Sequence, residues 1–266
     1  MCDILIIGKG FIGTYVELEC IGSGVRSLAT TTTGRDGTIA FAYSDNLTNK
    51  DYQKLPEAAT ILITFPLPSL QSPQKFLAGF TAQHRNPANF ILLGSTRAFA
   101  VKNQVWHTSS GPFLPDVRIN IENEFLGLGG CVLNLAGLWG GSRIVSQWIS
   151  RVADTMVKLQ EKTSLHLIHG ADVARLVLQV ARQFTRSKRW VVTDLNVYDW
   201  WDIVFGLDSL QERRGWVVTL MKECGVQALP RPMEALGRAI DSRDVWQYYN
   251  LYPQCTLRAP LEGKLV

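Results

Sequence analysis

Short apolar runs alternate along the chain with stretches in which apolar positions recur at helical spacing, and this alternation predicts parallel strands joined by crossover helices. "DILIIG" at 3–8 predicts the first strand, and "FIGTYVELECIG" at 11–22 a helix with Ile12, Val16 and Cys20 on one stripe, stopped by Gly22 and Gly24. Further strands are expected in "VRSLATT", "TIAFAYS", "TILITFP", "NFILLGST", "CVLNLAG" and "RWVVTD", the fourth of the series ended by Pro66 and Pro68. The runs Ile61 to Phe65 and Phe90 to Leu93 do not alternate with polar residues, as expected of strands covered on both faces. The fold class is therefore α/β, a doubly wound parallel sheet of Rossmann-like type with a small, mostly helical C-terminal part.

After about residue 140 the texture turns helical, with "IVSQWISRVADTMVKLQ" and "GADVARLVLQVARQF" each expected as one amphipathic helix. The last third is rich in aromatics, among them Trp200, Trp201, Trp216, Trp246, Tyr248, Tyr249 and Tyr252. We expect a nucleotide-binding domain over 1–195, with substrate-side segments interleaved after 137, and a small lid or substrate subdomain over 196–266.

Gly8, Gly10 and Gly13 stand in "ILIIGKGFIG", directly behind the first strand and at the mouth of the first helix. In that setting the first glycine permits a tight turn, the second lets the backbone approach a pyrophosphate, and the third lets helix and strand pack closely. The helix N-terminus adds bare N–H groups and partial positive charge. Lys9 stands between the first two glycines of the same turn. The second strand runs into "LATTTTGRDG", with no carboxylate before Asp36. Hydroxyls at Thr30 and Thr31 and the guanidinium of Arg35 suit a 2′-phosphate better than a bare ribose. The cofactor expected is NADP, with NAD the second choice.

Composition removes other classes. Of 266 residues, 46% are apolar and 19% charged, ordinary for a globular chain. The net charge of +4, from 27 Lys and Arg against 23 Asp and Glu, is scattered, and "RSKRW" at 186–190 reads as a solvated loop before a strand. No dense basic stripe suggests nucleic acid. Five cysteines without a CxxC pair argue for reduced thiols and a cytoplasmic location, with no metal site. The sequence shows neither a targeting segment nor a membrane span. A small-molecule substrate is expected as partner, and a homodimer is compatible.

With these residues placed, the chain resembles the extended and atypical short-chain dehydrogenase/reductases, the NAD(P)-dependent epimerase/dehydratase-like group, to about residue 205. "IIGKGFIG" resembles that family's cofactor turn, "TTTTGRDG" the segment after its second strand, and "ILLGSTRAFA" at 91–100 the segment after its fifth. "LNLAGLWGGSR" at 133–143 and "LIHGADVARLV" at 167–177 resemble two later family segments. The resemblance implies that Phe11 and Ile12 hold the pyrophosphate together with the three glycines and that Phe65 and Pro66 flank the adenosine. It also puts Thr96 where the family has a catalytic Ser or Thr hydroxyl, with Ser95 beside it at the crevice; local capping is the alternative for both.

The family's Tyr and Lys, four residues apart, supply its proton. No tyrosine here is followed by such a lysine, and Val117 and Ile121 hold the matching places if Glu124 takes the family's usual glutamate position. Three readings stay open: a reductase drawing its proton from His107, Glu122, Tyr198 or water; a dinucleotide-binding isomerase, dehydratase or cyclase; and a redox sensor or regulatory protein without chemistry. His107, in "VWHTSSGP", is expected on a surface loop in the part of the fold that approaches the substrate; a plain solvated loop histidine is the favoured reading and a general acid or base the other. His169 is expected to be structural, with Asp172 helping to start the helix that follows.

Overall fold

The computed structural model describes residues 2–101 and 106–258. Residues 259–266, which the C-terminal part was expected to include, lie outside the described residues, as does Val105 at the start of the His107 segment. The strands are β1 (Cys2–Ile7), β2 (Ser27–Thr31), β3 (Ile39–Ala40), β4 (Ala58–Ile63), β5 (Asn89–Ser95), β6 (Trp106–His107), β7 (Cys131–Leu135), β8 (Gly137–Trp139), β9 (Ser164–Leu165), β10 (Leu167–His169), β11 (Lys188–Val192), β12 (Tyr198–Asp199) and β13 (Ala239–Ile240). The helices are α1 (Phe11–Gly22), α2 (Asn49–Tyr52), α3 (Ser72–Thr81), α4 (Val117–Gly127), α5 (Ile149–Val152), α6 (Met156–Gln160), α7 (Gly170–Arg182), α8 (Trp200–Leu207), α9 (Gln211–Glu223), α10 (Met233–Leu236) and α11 (Arg243–Tyr248).

Seven strands form one sheet in the order β11-β7-β5-β4-β1-β2-β3, every neighbouring pair parallel. Strand side chains alternate between faces, and both faces are dry. Ile4 and Ile6 join Ile12, Val16, Leu62, Leu133 and Val177 in one core, whereas Leu5 and Ile7 join Ile61, Ile63, Phe76, Phe80 and Phe125 in the other. Two layers of helices over a parallel sheet satisfy this double burial. The chain order reverses between β1 and β4, so the crevice at their carboxyl ends is the place for a ligand.

Two expected elements are corrected. The "TIAFAYS" strand shrinks to Ile39–Ala40, because this sheet edge pairs only with β2, and Phe41 and Tyr43 leave it to pack against Phe76. The helix expected over 144–160 is broken: a 3₁₀ turn at Val145–Trp148 leads into α5, and α6 starts afresh where the Thr155 hydroxyl caps the Lys158 N–H at 3.3 Å. A third core joins Val145, Ile149 and Leu159 to Tyr198, Trp201, Val204 and Leu220, so it draws on both sides of residue 195.

The "RSKRW" segment is also only partly solvated. Arg186 and Lys188 are exposed, but Arg189 is buried in the sheet. Its guanidinium binds the Glu122 carboxylate, donates to Asn134 Oδ1 at 2.7 Å and to Asn123 Oδ1 at 2.9 Å, and lies over Phe113. Asn134 Nδ2 donates in turn to Glu122 Oε2 at 2.8 Å and to the Ser95 carbonyl at 3.1 Å. This polar group takes the space over Gly94, where a Cβ would come within 2.5 Å of both Asn134 and Glu122. Removing one partner strands the other charge, so Arg189→Met is expected to cost about 3–5 kcal/mol in a urea unfolding titration. A loss under about 1 kcal/mol would show that the network carries little of the fold.

Candidate functional site

The glycine turn is clamped from both neighbouring strands. Gly8 N–H donates to Thr30 Oγ1 at 3.0 Å and Lys9 N–H to the Thr30 carbonyl at 2.7 Å, while Thr64 Oγ1 donates to the Gly8 carbonyl at 2.6 Å. Gly8 has φ +98°, which favours glycine. A Cβ on Gly13 would lie 2.8 Å from the Gly8 carbonyl oxygen, so helix and turn touch there. Gly10 is exposed, and a Cβ on it would meet nothing within 4 Å. No side chain therefore stands before the turn at Gly10, whose own N–H donates to the Gly8 carbonyl at 2.8 Å.

That space is a cavity of about 490 Å³ lined by Lys9, Gly10, Phe11, Tyr15, Arg35 and Arg143, among others. Arg143 comes from far along the chain, on a turn closed by hydrogen bonds of 3.0 and 2.9 Å between Gly140 and Arg143. Its guanidinium lies 4.1 Å from the centre of the Phe11 ring. Lys9 pairs with Glu17 at 2.5 Å, and Arg35 is exposed with Asp36 3.8 Å away. Cations from three segments thus line one cavity, Lys9 paired with Glu17 and Arg143 with no carboxylate among its contacts to the described residues, and such a lining suits an anionic ligand. Phe65 approaches Gly8 and stacks on Tyr43 with ring centres 6.3 Å apart; Pro66 is exposed beside it. Ile12 sends its side chain into the core, leaving only its backbone for a ligand.

Several predicted site residues behave differently. Thr30 and Thr31 are buried with their hydroxyls committed: Thr30 Oγ1 holds Gly8, and Thr31 Oγ1 accepts from Gly34 and Arg35 N–H at 3.0 and 3.2 Å. These bonds hold the glycine turn and shape the loop that carries Arg35. Ser95, at the carboxyl end of β5, accepts from Arg97 N–H at 3.3 Å, the capping alternative, and Thr96 beside it is buried. His107 is not on a surface loop: it is fully buried in β6, because β13 pairs over it and Asp241 N–H donates to its carbonyl at 2.8 Å. His169 Nδ1 caps α7 by accepting from Ala171 N–H at 3.2 Å. Asp172, expected to start that helix, lies in its first turn, where its carboxylate accepts from Gln254 and Cys255 N–H and so ties the C-terminal segment to α7.

The other proton candidates are also engaged. Glu122 is 1% exposed inside the Arg189 network. Tyr198 is buried and donates to Asp194 Oδ2 at 2.6 Å; burial and that carboxylate both push its phenol up, away from easy proton release. At the places matching the family's pair, Val117 is exposed and Ile121 buried. Sequence reasoning missed Thr64 and Arg143. "LWGGSR" was singled out as a segment, yet nothing local in it says that Arg143 meets Phe11.

No family model and no curated protein matches the sequence. Solved structures do match over nearly the whole chain. A short-chain dehydrogenase/reductase superfamily protein from Agrobacterium tumefaciens with bound NAD aligns at TM-score 0.66 and 10% identity, covering 96% of this chain and 94% of that one. UDP-N-acetylglucosamine 4-epimerase from Bacillus cereus aligns at TM-score 0.64 and 13% identity, covering 96% and 95%. The yeast methylglyoxal/isovaleraldehyde reductase complexed with NADPH gives TM-score 0.64 and 13% identity, covering 96% and 94%. The chain has the Rossmann-like fold of the epimerase/dehydratase and short-chain reductase structures. Among the described residues, no helix is long and apolar enough to cross a membrane, and no group of three or more His, Cys, Asp or Glu is placed to hold a metal.

Burial pushes the Asp194 carboxyl up to about 6 from its ordinary value of 3.8, against the opposing bonds from Tyr198 and Asn196. Between those values the folded protein holds a proton that the unfolded chain has released, so this group's contribution to stability falls as pH rises. Relative to Asp194→Asn, the wild type is expected to lose on the order of 2 kcal/mol between pH 4.5 and 7.5 in urea titrations. A difference constant with pH would contradict the shifted carboxyl.

Proposed function

We propose that the protein binds NADP in the cavity at the glycine turn and acts as an oxidoreductase-like protein on a small carbonyl or hydroxyl compound, with a proton source other than a Tyr–Lys pair. The observation that carries the reading is the convergence of Lys9, Arg35 and Arg143 on the open backbone at Gly10. Residues there fit a dinucleotide: Gly10, Phe11 and Ile12 offer backbone to a pyrophosphate, Arg35 has room to fork onto a 2′-phosphate, and Phe65 flanks the adenosine side. A bound nicotinamide ring supplies or accepts a hydride. The chain's part is to hold the phosphates and keep the ring against the crevice. NAD is the second choice of cofactor. The free cysteines support a reducing, cytoplasmic setting.

A second reading, dinucleotide binding without redox chemistry, is favoured by the state of the expected acid-base groups. The Ser95 hydroxyl caps a backbone N–H, Thr96 is buried, and Glu122 is locked to Arg189. Calorimetric titration separates the cofactors: the wild type is expected to bind NADP more tightly than NAD, and Arg35→Ala to weaken NADP about tenfold while leaving NAD unchanged. Equal affinity of the wild type for both would count against NADP. On the same protein, NADPH absorbance followed with a panel of small carbonyl compounds decides between the readings. Turnover supports the reductase, and tight binding with no turnover across the panel selects the non-redox protein.

A further inference from the structure

A second cavity, of about 340 Å³, adjoins the first and shares Gly141 and Arg143 with it. Its remaining wall is apolar: Trp139, Ile144, Val145, Leu207 and Leu257, with Ser146 the one polar side chain apart from Arg143. Trp139 is held edge-on to His169, ring centres 4.7 Å apart, and its indole N–H is buried with no acceptor among the described residues. Ile144 and Leu207 are nearly half exposed at 47% and 44%, so apolar surface stays in water around this opening. Arg143 lines both cavities, and its guanidinium is stacked over Phe11, a lining residue of the first.

We infer that this cavity is the substrate pocket and that it takes a neutral, compact apolar compound, an aromatic or branched aliphatic alcohol, aldehyde or ketone. The inference rests on the dinucleotide reading above, since the shared wall is what sets a ligand in one cavity beside a ligand in the other. Volume and lining fit the class: the space is at the small end of ligand pockets, apolar, with few polar groups to orient the guest. A sugar nucleotide fits this lining poorly. Its diphosphate and many hydroxyls would lose water against Trp, Ile, Val and Leu, with only Arg143, which is stacked on Phe11, and Ser146 as polar side chains to meet them.

Saturation-transfer NMR and calorimetry with benzyl alcohol, cyclohexanone and UDP-glucose test this, with and without NADP, on the wild type and on Leu207→Arg and Ile144→Arg. Both variant positions are exposed, and urea titration checks that the variants fold. The two neutral compounds are expected to bind the wild type, and each variant to weaken them about tenfold or more, while NADP affinity stays within about twofold. Tighter binding of UDP-glucose than of either neutral compound overturns the inference. Neutral-probe affinity left unchanged in both variants overturns it as well. The NADP titration on the same samples reads the dinucleotide site separately, so its failure is not confused with failure of the pocket.

Discussion

A helix N-terminus can receive a diphosphate only where no side chain stands in the way, and at Gly10 the space before α1 is open. That opening depends on neighbours that never touch a ligand. Thr30 at the end of β2 and Thr64 just after β4 grip Gly8 from either side, and Gly13 lets α1 start against the turn. Because β2 and β4 flank β1 on opposite sides, the clamp exists only when the central sheet is in register. Sheet assembly and site assembly are thus one event.

The charge around the opening is also assembled from distance. Lys9 is part of the turn, Arg35 sits on a loop shaped by Thr31, and Arg143 arrives on a tight turn after β8. Gly141 and Arg143 on that turn line both cavities, so the one at Gly10 and the apolar one beside it share a boundary. Glu122, Asn134 and Arg189 fill the space beside Gly94 and Ser95 with a buried polar network. A chain lacking the Tyr–Lys pair has here kept the architecture of the crevice while tying down the groups near its base.

Most of the sheet was legible because strands buried on both faces read as unbroken apolar runs, and the turn because Gly8, Gly10 and Gly13 must stand between a strand and a helix. What sequence could not give was pairing at a distance. Arg189 looks like any basic residue in "RSKRW" until Glu122, 67 positions away, is seen to bind it. His107 looks exposed among Thr108, Ser109 and Ser110, but β13 closes over it. Thr30 and Thr31 carry the right chemistry for a phosphate and spend it on the backbone. The broken helix at 153–155 shows the reverse case, a local cap at Thr155 overriding a continuous amphipathic pattern.

The most direct test of the central claim is a backbone ¹H–¹⁵N spectrum of the protein titrated with NADP. The account predicts that the largest shifts fall on the amides of Gly10, Phe11 and Ile12, with a second group at Gly141 to Arg143. Saturating NADP that leaves these amides unmoved, or moves only amides elsewhere in the chain, would contradict it.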